Sequence, residues 1–105
     1  APFREPGEGR RAMLTLCREV PFDGTPREVW ETEAAYADWL PGTTFPKLFV
    51  NAEPGAFLTG DKRAFCRSWP NQEEVTVAGL HFLQEDSPAE IGAALAAWIA
   101  RLPMA

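Results

Sequence analysis

The run Pro46-Lys47-Leu48-Phe49-Val50-Asn51-Ala52, closed by Glu53-Pro54-Gly55, constrains this chain more than any other stretch. A short apolar segment stopped by a strong Pro-Gly turn is the pattern of a strand buried on both faces in a parallel sheet. Residues 60 to 68 then favour helix, with Phe65 and Cys66 as apolar contacts and Trp69-Pro70-Asn71 as the stop. Glu74 to Ala78 alternates as a second strand.

The flanking segments complete the grammar. Thr25-Pro26-Arg27-Glu28 has the composition of a capping box and predicts a helix from 26 to about 40, ended by Pro41-Gly42. Ser87-Pro88-Ala89-Glu90 repeats that chemistry, and Ile91, Leu95, Trp98, Ile99 and Leu102 follow at helical spacing. Residues 1 to 24 carry Pro2, Pro6, Gly7, Gly9, Pro21 and Gly24, so a loop-rich segment with no more than a turn of helix is expected there. The order helix, strand, helix, strand, helix is that of an α/β protein with parallel strands. Both strands read as central, so the chain is expected to be part of a larger domain or to dock onto other chains. The missing initiator methionine fits a chain that begins in the middle of something.

Composition narrows the partners. The 105 residues are 46% hydrophobic and 11% aromatic, which is globular. A net charge of -5 with no basic run argues against nucleic acid, and no apolar stretch approaches the roughly 20 residues that span a bilayer. Residues 1 to 11 show no apolar h-region, so no signal peptide is visible. Cys17 and Cys66 are not a CxxC pair and stand beside a single histidine, so no metal site is expected. Two free thiols are the simplest reading, with a disulfide left open.

Chemistry then falls to the one histidine. Gly79-Leu80-His81-Phe82-Leu83-Gln84-Glu85-Asp86-Ser87-Pro88 reads as the end of a strand, a loop presenting His81, and the start of a helix. Ligands bind at the carboxyl ends of neighbouring strands in open α/β sheets. A histidine in a loop before the last helix also fits the third slot of an α/β-hydrolase triad. No Gly-x-Ser-x-Gly occurs, so the nucleophile is not encoded here. Glu85 and Asp86 read as negative charge favoured near the start of the last helix.

The segments 46–56, Trp69-Pro70-Asn71 and 79–88, with Pro2-Phe3 and Gly7-Glu8-Gly9-Arg10-Arg11 at the start, resemble the C-terminal third of bacterial haloalkane dehalogenases, in particular the hexachlorocyclohexane-degrading type. The histidine loop is also similar to that of the coelenterazine luciferase of sea pansies. The resemblance implies the C-terminal portion of an α/β-hydrolase fold: residues 1–24 as the end of a helical cap and its return loop, and 25–105 as the last parallel strands with flanking helices. It implies haloalkane hydrolysis through an alkyl-enzyme ester with His81 as base, no cofactor, and a halogenated hydrocarbon, water and halide as ligands. An aspartate nucleophile, halide-holding donors and, in this branch of the family, the triad acid would come from the N-terminal part of the same fold. Leu16, Cys17, Val20, Ala56, Phe57 and Phe82 would line the pocket, and Glu53 is a candidate acid partner for His81, against the plainer reading that it fixes the Pro54-Gly55 turn. A related luciferase or epoxide hydrolase, or an inactive fragment, is the alternative. The expected compartment is the cytoplasm, with the periplasm second. One departure bears on the pocket: Leu16-Cys17 stands where the family usually has Trp-Pro.

Overall fold

A computed structural model of the chain describes residues 3–103, so Pro2 of the N-terminal resemblance lies outside the described residues. Contacts divide the chain into two compact units, Ala1–Leu40 and Pro41–Ala105.

In the first unit a 3-10 turn, Glu8–Arg10, leads into helix α1, Arg11–Glu19. The expectation of a loop-rich segment is corrected here. The Pro and Gly residues of 1–24 cluster at its two ends, and the stretch between them is free of both and rich in Ala, Met, Leu, Arg and Glu, which are good helix formers. Helix α2 covers Arg27–Trp39 and passes into a 3-10 turn at Leu40–Gly42. Its predicted capping box does not form. Pro26 rather than Thr25 is the N-cap and has no side-chain acceptor for the first turn, while Thr25 lies one residue outside, its backbone in a reciprocal bridge with Phe22 at 3.0 Å each way. Along α2, Arg27 and Glu31 pair at 2.6 Å one turn apart.

The second unit is a parallel pair. Strand β1, Lys47–Pro54, runs beside β2, Gln72–Gly79, in the register Lys47↔Gln72 to Pro54↔Gly79. Helix α3, Gly60–Arg67, makes the crossover that a parallel connection requires. After β2 come a single turn, α4, Leu83–Asp86, and the long helix α5, Pro88–Arg101, which contacts both strands. The second capping box does not form either. Ser87 is the N-cap residue and is buried, and its hydroxyl donates 2.7 Å to the Ala78 carbonyl and accepts no bond from the first turn of the helix.

Complete burial of β1 is not observed. Among the described residues Val77 is the one buried hydrophobic, while Leu48, Phe49 and Val50 are half-buried. Two strands with short helices give each side chain too few neighbours to bury it. The amino ends of the strands are nevertheless closed by polar bonds. The buried Lys47 ammonium donates to the carbonyls of Thr43 (3.0 Å), Phe45 (3.1 Å) and Pro70 (2.9 Å), and the Asn71 amide donates to the Thr44 carbonyl at 2.6 Å. A buried cation is tolerable only when its donors are satisfied in this way.

Arg67 on α3 grips Glu74 on β2 with two bonds, 2.8 and 2.6 Å. The Arg67 hydrogen bonds, aided by its charge, hold the Glu74 carboxyl below its ordinary range. The unfolded chain therefore binds the proton more readily, so the pair's stabilisation is present above the ordinary glutamate value and is lost as pH falls through the depressed folded one. The difference in urea midpoint between wild type and Glu74→Gln is expected to be larger at pH 7 than at pH 3. An equal difference at both would rule the linkage out.

Candidate active site

Two loops leave the carboxyl ends of β1 and β2 side by side, still tied together by the bonds Gly55 N–H to Gly79 O (3.0 Å) and Ala56 N–H to Leu80 O (2.9 Å). The first loop turns at Gly55, φ 72°, where a side chain would meet the Ala52 carbonyl at 3.0 Å and the Arg63 guanidinium at 2.9 Å. Glycine is required by both the dihedral and the space. Arg63, reaching back from α3, donates to the carbonyls of Ala52 (2.9 Å), Pro54 (3.3 Å) and Leu58 (3.1 Å) and lies 3.7 Å from the Glu53 carboxylate. One guanidinium thereby fixes the loop that carries Ala56 and Phe57. The Glu53 carboxylate itself is 67% exposed and faces Arg63.

The second loop presents His81. Its ring lies 4.5 Å from the Phe82 ring, edge-on, and 5.4 Å from the Phe57 ring. A cavity of about 160 Å³ opens here, walled by His81, Phe57, Leu58, Leu80 and Leu83 and floored by residues 49–52 of β1. The structure therefore brings His81, Phe57 and Phe82 together, with Phe57 and His81 in the cavity wall and Phe82 against the imidazole. Ala56 is engaged at the tie between the loops. Leu16 and Cys17 on α1, and Val20 at its C-terminal end, are exposed residues of the first unit.

Leu58, Leu80 and Leu83 are wall residues that the sequence did not single out. Their signal was only proximity to the candidate histidine or to Phe57. A larger concavity, about 900 Å³, lies along α2 between Glu28 and Trp39. It is one helix face and brings no chemistry-bearing groups together from separate elements, so the smaller cavity at the strand ends is the candidate site. Among the described residues no three metal-binding side chains cluster, and no helix is long and apolar enough to cross a membrane. Of the two thiols, Cys17 is exposed, and partial burial pushes that of Cys66 up.

Parallel strands joined by a helical crossover and a histidine loop before the last helix define the class: the chain has the C-terminal portion of an α/β-hydrolase fold. More narrowly, it is similar to the C-terminal part of haloalkane dehalogenases. It is 57% identical over 101 residues to the haloalkane dehalogenase of Sphingobium indicum, covering 96% of this chain and 34% of that protein. The structure of haloalkane dehalogenase DbeA from Bradyrhizobium elkani superposes with a TM-score of 0.81 at 36% identity, covering 94% of this chain and 34% of that one. Coelenterazine h 2-monooxygenase of Renilla reniformis is 36% identical over 103 residues, covering 96% of this chain and 33% of that protein. No protein-family profile matches. The chain spans about a third of the length of these relatives.

Proposed function

We propose that this chain is the histidine-bearing part of a haloalkane dehalogenase, converting a haloalkane and water to an alcohol, a halide and a proton. The observation that carries the proposal is the placement of His81 at the carboxyl edge of the parallel pair, in the wall of an apolar cavity. Haloalkanes offer little to hydrogen-bond, and an apolar wall suits them.

In the proposed reaction a carboxylate oxygen from the N-terminal part of the fold attacks the carbon bearing halogen. The new C–O bond forms as the C–X bond breaks, and halide leaves with the electron pair. His81 then takes a proton from water as that water attacks the ester carbonyl, which releases the alcohol and regenerates the carboxylate. Residues 1–24 are the end of the cap in this reading, and Ala56, Phe57 and Phe82 stand around the substrate. Greater identity to the dehalogenase than to the monooxygenase favours this reading over a luciferase.

The test is halide release from 1-bromobutane. The chain alone is expected to give none, because its nucleophile is elsewhere, and the chain joined to the N-terminal part of the fold is expected to turn over. Steady release by the chain alone, or none by the complete enzyme, overturns the proposal.

A further inference from the structure

The loop carrying His81 is gripped from both sides of Gly79. Ser87 donates to the carbonyl of residue 78 at 2.7 Å, and the Leu80 amide, immediately before the histidine, donates to the Asp86 carboxylate Oδ2 at 3.1 Å. Gly79 makes this possible by having no side chain. A Cβ there would stand 2.9 Å from that same Oδ2, 3.2 Å from the Asp86 Cβ and 2.7 Å from the Leu83 Cδ2. The turn α4 is in turn anchored on the loop, with the Glu85 amide 2.9 Å and the Asp86 amide 3.3 Å from the Phe82 carbonyl. A loop residue would ordinarily have several backbone choices. Here the peptide bonds on both sides of Gly79 are fixed, and His81 is the second residue beyond it.

We infer that Asp86 is a positioning residue for the hydrolytic step: by holding the Leu80 amide it sets where His81 meets the attacking water. This rests on the dehalogenase reading above. Charge near the start of α5 is thus not its main use, since its carboxylate is directed at the loop. The inference distinguishes the two chemical steps. Displacement of halide uses a carboxylate outside this chain and needs no base, whereas hydrolysis of the ester needs His81 in place.

The test follows both steps in the complete enzyme. In Asp86→Ala, first-turnover halide release measured by rapid quench is expected to match wild type, while steady-state release falls between about 10- and 100-fold, as expected for a catalytic group displaced by about an ångström. In Asp86→Asn, whose amide oxygen can still accept from Leu80, steady-state release is expected to stay within about threefold of wild type, a neutral acceptor replacing a charged one. Equal steady-state rates in wild type and Asp86→Ala overturn the inference. So does a parallel fall of both steps with a lowered melting temperature, which marks a role in folding alone. Absence of first-turnover halide release in wild type is a separate result: it removes the dehalogenase reading and the inference with it. Should Asp86→Ala not fold, amide exchange decides. Leu80 protected at least about tenfold over a free loop amide in both wild type and Asp86→Asn supports the clamp, and an unprotected Leu80 refutes it.

Discussion

His81→Gln in the complete enzyme is expected to release one halide per active site and then stop. Displacement of halide needs only an ionised carboxylate, so it continues, and the alkyl-enzyme ester accumulates because no group removes the proton from water. Loss of a positioned general base costs about 10²- to 10⁴-fold, and steady turnover should fall by at least that much. Intact mass measurement of the variant after mixing with 1-bromobutane would show the added butyl group. A variant that turns over normally, or one that releases no halide at all while folded, would exclude His81 as the base of the second step.

The second large effect is expected at Arg63. Its guanidinium serves the carbonyls of Ala52, Pro54 and Leu58 while its side chain is only 17% exposed, so Arg63→Met leaves three acceptors without their donor, that of Ala52 part-buried and those of Pro54 and Leu58 open to water. Charge-assisted bonds of this kind are worth about 1.5–3 kcal/mol each when one partner is removed, and partial rehydration of the loop should leave a net loss of about 2–3 kcal/mol. The same change releases the loop that carries Phe57, so KM for 1-bromobutane should rise more than kcat falls. An unchanged denaturation midpoint would show that the loop holds itself.

Much of this arrangement is legible in the residues. The two strands announce themselves through an apolar run with a Pro-Gly stop and a short alternating run, and α5 through its apolar spacing, because backbone geometry alone imposes those periods. The placement of His81 after β2 follows from the same pattern. The two capping boxes show the limit. Thr25 and Ser87 have the right residue three positions on, but Thr25 is held in a bridge to Phe22 and Ser87 is drawn to the Ala78 carbonyl. A hydroxyl such as that of Ser87 has competing backbone partners, and the N-cap position itself can shift by one residue, as at Pro26; only tertiary packing chooses. Helix α1 was hidden by the Pro and Gly residues around it. The contacts of Arg63 and of Asp86, which the sequence offered only as helix-start charge, could not be picked out, since their partners are backbone carbonyls and an amide, which nearly every residue possesses and no motif marks.

The buried Lys47 ammonium has a consequence for how this scaffold can change. Its three carbonyl partners join the approaches to β1 and β2 at their amino ends, whereas Phe57, His81 and Phe82 stand at the carboxyl ends. Strands of eight residues, at about 3.3 Å each, put roughly 25 Å between the anchor and the chemistry. Substitutions that far apart with no shared partner combine nearly additively. If the proposed pocket holds, a randomised library at Ala56, Phe57 and Phe82 in the complete enzyme is expected to change substrate choice while Lys47 keeps the strands in register, so that selectivity and durability would be inherited from opposite poles of the same sheet.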